Sequence, residues 1–130
     1  MLTLEDANRI TAAARRTAAQ NNWNLVIAVV DDGGFLVSLE RMDGAQKASV
    51  AVAQQKAKVA ILYKRATKVF EEGILAGNIG LLALPDVICS EGGVPIIRDG
   101  VYVGAIGVSG AKSFEDGIVA ASGLSALNIG

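Results

Sequence analysis

Four groups of residues have the types and spacing to do chemistry. The first is Arg41-Met42-Asp43-Gly44, where opposite charges meet at a bend leading into a long helical segment. Such a place can hold a carboxylate or phosphate, because a guanidinium and free helix N–H groups favour anions. An internal Arg41–Asp43 ion pair that fixes the loop is the alternative. The second is Lys56. Advancing about 100° per residue from Ala45, Lys47, Gln54, Lys58 and Arg65 fall on one stripe, whereas Lys56 falls opposite with Ser49, Val52, Val59 and Tyr63. A lysine there is an anion anchor or a desolvated base, or it snorkels to water or meets a neighbouring subunit.

The third group is Gly104-Ala105-Ile106-Gly107-Val108-Ser109-Gly110, a glycine-thinned run leading into Ala111-Lys112-Ser113. Ser109, Gly110 and the helix start beyond them would suit an anionic group, and close packing of a helix on the strand is the competing reading. The fourth comprises the acids beside glycine-rich turns, Glu91 and Asp116, each placed to act as a general base. For Asp116 the alternative is a cap on the helix opened by Ser113. Gly93, in the Glu91-Gly92-Gly93 turn, joins the expected ligand-binding set of Arg41, Asp43, Lys56, Ser109 and Gly110. About eleven helical residues lie between Ala45 and Lys56, roughly 16 Å of rise, so Arg41 and Lys56 need not share a pocket within one subunit.

Composition removes several chemistries. There is no histidine, which excludes Ser-His and Cys-His catalysis and His-ligated zinc or haem. Cys89 is the single cysteine; its apolar setting reads as a packed thiol, and it can form no internal disulfide. Neither nucleotide fingerprint fits, since Ala111 stands where a P-loop needs glycine and Gly104, Gly107 and Gly110 lack dinucleotide spacing. Twelve basic and thirteen acidic residues give a net charge of −1, without the basic excess expected of a nucleic-acid partner. The longest apolar run, Leu25 to Val30, is too short to cross a membrane, and no leader-like segment opens the chain, so the expected location is the cytoplasm.

The elements that must position these groups follow from periodicity. A first helix runs from a Thr3–Asp6 capping box to about Asn21. A two-sided apolar strand (24–31) turns at Asp32-Gly33-Gly34 into a return strand (35–41). A long helix is expected over 45–65, a shorter one over 67–75, and a glycine-dotted loop over 77–85. Strands follow at 87–90, 94–98 (with Pro95 at an edge or a strand start) and 101–109, before a last helix over 113–127. This order predicts an α/β (α+β) fold with a five-stranded antiparallel sheet flanked by helices. The 130 residues make one domain. Aromatics are only 5% of the chain, so small aliphatic residues must build the core. A mean hydropathy of +0.42 in so small a domain implies self-association.

Two sets of segments carry a family resemblance. Ala28-Val29-Val30-Asp31-Asp32-Gly33-Gly34 leads to Arg41-Met42-Asp43-Gly44-Ala45 and Lys56-Ala57, and Gly92-Gly93-Val94-Pro95-Ile96 leads to Val103 through Gly110. Together they resemble the GlcG/HbpS-like family, also found as the carboxy-terminal domain of PduO proteins. The resemblance implies a profilin-like fold and homo-oligomers from dimers to octamers. It also implies either haem or corrinoid-related ligands or a place in small-organic-acid pathways. An axial haem ligand would have to be Tyr63, Tyr102, Met42 or Cys89. The resulting expectation is a protein that takes a small anionic organic acid at a subunit junction, with no cofactor. The alternatives are a metal-independent isomerase, deaminase or hydrolase using Lys56, Glu91 or Asp116 as proton carrier, and a haem binder without histidine.

Overall fold

Leu25, Ile27 and Val29 alternate with Val26, Ala28 and Val30, and all six are buried. A strand buried on both faces needs a helical layer on each side, and the computed structural model, which describes residues 1–127, has that arrangement. The elements run α1 (Leu4–Gln20), β1 (Val26–Asp31), β2 (Leu36–Arg41), α2 (Ser49–Leu62), α3 (Thr67–Leu75), a 3-10 helix (Ile79–Ala83), β3 (Gly93–Arg98), β4 (Val101–Ser109), α4 (Ser113–Leu124) and a terminal 3-10 turn (Ser125–Leu127). The sheet is antiparallel in the order β2-β1-β4-β3. On one face α1 and α4 pack Ile10, Ala14, Val119 and Ala120 against Ile27, Val29, Ile106 and Val108. On the other, Ala53, Ala57 and Ala60 of α2 meet Val26, Ala28, Val30 and Ala105.

The sheet has four strands, not the five expected. Residues 87–90 pair with no strand. The Glu91 N–H donates to the Glu71 carboxylate at 3.1 Å, and Gly92 then takes φ +137°, which turns the chain into β3 only at Gly93. The long helix is also shorter than its composition suggested. Gly44 at φ +81° and successive turns through Gln46 and Lys47 delay its start to Ser49. Lys64 ends it with a left-handed φ of +54°, so that the Arg65 N–H reaches back to the Ala60 carbonyl at 3.1 Å. Helices often stop this way, usually with glycine at the left-handed position. The Thr3–Asp6 capping box forms, and Pro95 lies on the edge strand β3.

Gly93 and Gly107 sit opposite each other in β3 and β4. A Cβ on Gly107 would collide with the Ala53 carbonyl and stand 2.6 Å from the Ala57 nitrogen; one on Gly93 would collide with the Lys56 carbonyl. This pair of absent side chains makes a depression in which the α2 backbone rests. We expect Gly107→Ala to lower unfolding free energy by about 2 kcal/mol or more, because backbone rather than a flexible side chain must yield. Gly80→Ala, whose added methyl meets nothing nearer than 3.6 Å, should stay within about 1 kcal/mol. Urea denaturation of the two variants measures the difference.

Candidate functional site

Because α2 rests so low on the sheet, Lys56 cannot reach water past its own helix. Its side chain is 2% exposed and crosses the top of β4, where Nζ donates to the Val108 carbonyl at 2.9 Å and to Asp116 Oδ2 at 3.1 Å. The inward-facing lysine expected from helical spacing is therefore present, and an ion pair consumes its charge. Gly92 leaves room for it: a Cβ there would stand 2.9 Å from Nζ.

Asp116 is equally sealed, at 2% exposure. Its Oδ1 accepts the Ala111 N–H at 3.0 Å, and the neighbouring Gly110 N–H adds a favourable influence on this carboxylate. The free N–H groups expected to greet an outside anion are thus taken by the protein's own carboxylate. Burial pushes the Asp116 carboxyl above its ordinary value, while Lys56 and the two backbone donors pull against it. Asp116 does not cap α4 through Ser113. Lys112 is the N-cap residue, and its N–H is held by Glu115 at 3.0 Å, which leaves Asp116 one position further round and turned inward.

The other expected residues divide between two places. Ser109 is buried and donates to Ser49 Oγ at 3.2 Å. The Gly93 N–H donates to Thr67 Oγ1 at 2.9 Å. Glu91 is half-buried, its carboxylate lying directly on Gly117 of α4. These residues gather around the Lys56–Asp116 pair. Arg41 and Asp43 do not. They line a separate cavity of about 380 Å³ with Arg15, Asn24, Glu40 and Met42. The two regions are nevertheless neighbours in the sheet, since Arg41 pairs with Val26 and Val26 with Ser109. Two strand spacings, roughly 10 Å, separate Arg41 from Ser109.

In that cavity Arg15 is paired with Glu40, whereas Arg41 and Asp43 form no ion pair among the described residues. The internal Arg41–Asp43 bridge considered from sequence is not made. Nothing local in the sequence distinguishes Arg15, Asn24 and Glu40 from other surface residues. Of the four candidate axial donors, Met42 alone lines this cavity. The Tyr63 hydroxyl donates to the Pro85 carbonyl at 2.7 Å, Tyr102 lies under the Lys64 ammonium, and burial raises the Cys89 thiol.

The family model described as "Haem degrading protein HbpS-like" matches residues 2–125. The chain belongs to the HbpS-like family. This HbpS-like chain is 41% identical over 109 residues to Protein GlcG of Escherichia coli strain K12, covering 84% of this chain and 81% of GlcG. A crystal structure of a double mutant of Streptomyces reticuli HbpS superposes with a TM-score of 0.89 at 32% identity, over 98% of this chain and 87% of that one. The crystal structure of a PduOC–haem complex superposes with a TM-score of 0.91 at 30% identity, over 100% of this chain and 97% of that one. No helix among the described residues is long and apolar enough to cross a membrane.

Removing one member of the buried pair strands the other in a dry site. We expect Lys56→Met to cost about 3–5 kcal/mol of stability. Replacing both, Lys56→Met with Asp116→Leu, should cost less than Lys56→Met alone, because no uncompensated charge remains. Chemical denaturation of wild type, single and double variants reads both values.

Proposed function

We propose that this HbpS-like chain binds a small organic molecule carrying a carboxylate, with Arg41 as its cationic anchor. The observation that carries this reading is the division of charge. Lys56 is committed to Asp116, Arg15 to Glu40, and Arg41 faces a cavity with no ion partner among the described residues. A guanidinium can grip a carboxylate with two parallel hydrogen bonds, and Asn24 offers an amide beside it. A volume of about 380 Å³ suits a small acid, within the usual span of about 300–1,000 Å³ for ligand sites. Binding without proton transfer is favoured over the enzyme reading, because Lys56 and Asp116 are sealed against each other, Glu91 lies on Gly117 of α4, and none of the three lines this cavity. In this reading Gly93, Ser109 and Gly110 hold the framework and make no contact with the ligand.

Haem is the second reading, favoured by the haem-complexed relative that covers the whole chain and by Met42 in the wall of the same cavity. Bound haem would supply a redox-active iron. This chain's own part would be Arg41 holding a haem carboxylate and the Met42 thioether offered as a soft donor.

The test is a titration of the isotope-labelled protein with glycolate and, separately, with haemin. Amide signals of Asn24, Met42 and Asp43 should move, and Arg41→Ala should weaken binding about tenfold or more. If haem is the ligand, Met42→Ala should also displace the near-ultraviolet absorption band of the complex, and Tyr63→Phe should not. Undiminished affinity in Arg41→Ala, or no binding of either compound, would refute the reading.

A further inference from the structure

Both strands that flank β1 carry an extra residue beside its last turn, Asp31-Asp32-Gly33-Gly34. Val29 and Val30 pair with Ser38 and Leu36, which leaves Val37 over in β2; Ile96 and Ile97 pair with Gly104 and Tyr102, which leaves Val103 over in β4. A bulge re-aims the side chain it adds. Strict alternation would put Val37 on the face opposite Ser38, whose hydroxyl lies 3.4 Å from that of Thr11 in α1; instead Val37 also packs into the core beneath α1. Val103 joins the same core, with Leu2.

The two bulges bracket Asp31, the last residue of β1, and Gly104 opposite Asp31 brings no side chain. The result is a cavity of about 410 Å³ walled by Leu2, Val37, Val101 and Val103, with Asp31 and Asp32 as its charged lining residues. Asp31 is half-buried and fixed in place: its Oδ1 accepts the Gly33 and Phe35 N–H groups, each at 2.9 Å. Its Oδ2 accepts no side-chain or backbone donor, and neither acid has an ion partner, among the described residues. Arg98, which reaches the Met1 carbonyl in the cavity wall, is engaged by Asp6 at 3.1 Å.

A pre-positioned carboxylate oxygen therefore faces aliphatic walls with no counter-charge of the protein's own. A simple metal ion would satisfy the acids and leave the walls in water, whereas an ammonium on a carbon chain satisfies both. We infer that this cavity binds a primary organic amine in its ammonium form, the N–H groups donating to Asp31 Oδ2 and the aliphatic body lying against Val37, Val101 and Val103. Asp32, exposed at the hairpin, adds its charge to the attraction. The site takes a ligand of opposite sign to the Arg41 cavity and shares no residue with it, so the two stand or fall separately.

Titration of the isotope-labelled full chain with hexylammonium chloride tests this. Amide signals of Val37, Val101 and Val103 should move to saturation in the millimolar range, while those of Met42 and Asp43 stay in place. Hexanoate, of similar size and opposite charge, should leave the valine signals unmoved, and methylammonium, which lacks the chain, should bind about tenfold more weakly or worse. Asp31→Asn should weaken hexylammonium about tenfold, with the hairpin kept because asparagine retains an oxygen for the Gly33 and Phe35 N–H groups. Asp32→Asn should weaken it by about threefold or less. The comparison of compounds on the wild-type chain decides the matter even if Asp31→Asn fails to fold. An equal response to hexanoate, equal affinity for methylammonium, shifts confined to Met42 and Asp43, no saturable binding, or full affinity in Asp31→Asn would each overturn the proposal.

Discussion

The contact between Lys56 and Asp116 ties the three layers together. One partner comes from α2 below the sheet and the other from the start of α4, and the Val108 carbonyl of β4 completes the lysine's shell. Burying two charges is costly unless they meet with good geometry and their remaining hydrogen-bonding capacity is filled. Here the backbone helps to fill it, through Val108 on one side and Ala111 on the other. The surrounding glycines follow from that requirement. Gly93 and Gly107 let α2 sink onto the sheet, and Gly92 clears the space that the ammonium occupies.

Much of this was legible in the sequence, and the parts that were not have a common cause. The inward turn of Lys56 could be read because helical periodicity is local: it shares a stripe with Val52 and Val59. Its partner could not, because Asp116 is sixty residues away and looks locally like a cap. The glycines of β4 announced close approach without saying of what; the structure answers with the α2 backbone at Gly107 and with Leu25 at Gly110. Residues 87–90 have strand-like composition, yet they pair with no strand, and the chain next to them is held by a contact between Glu71 and Glu91, twenty residues apart. Lys64 stops α2 in a conformation that glycine usually signals, so the end of the helix was hidden. The cavity around Arg41 assembles from α1, the turn before β1 and the end of β2, a combination no local pattern encodes.

The consequence for function is a separation of roles among the cations. A charge inside the core serves the fold, and in the function proposed above the charge at the rim is the one that meets a ligand. That division is consistent with a family whose relatives include a haem complex as well as GlcG. The framework around Lys56 shares no residue with the cavity around Arg41, and one fold can carry different sites.

The sealing of Lys56 is the claim on which this account turns, and amine acylation read by peptide mass spectrometry probes it most directly. Brief treatment of the native protein should label Lys47, Lys58 and Lys112 while leaving Lys56 unmodified until denaturant is added. Labelling of Lys56 at the rate of Lys58 in the native state would contradict it, by showing that the amine is open to solvent and free to serve a ligand.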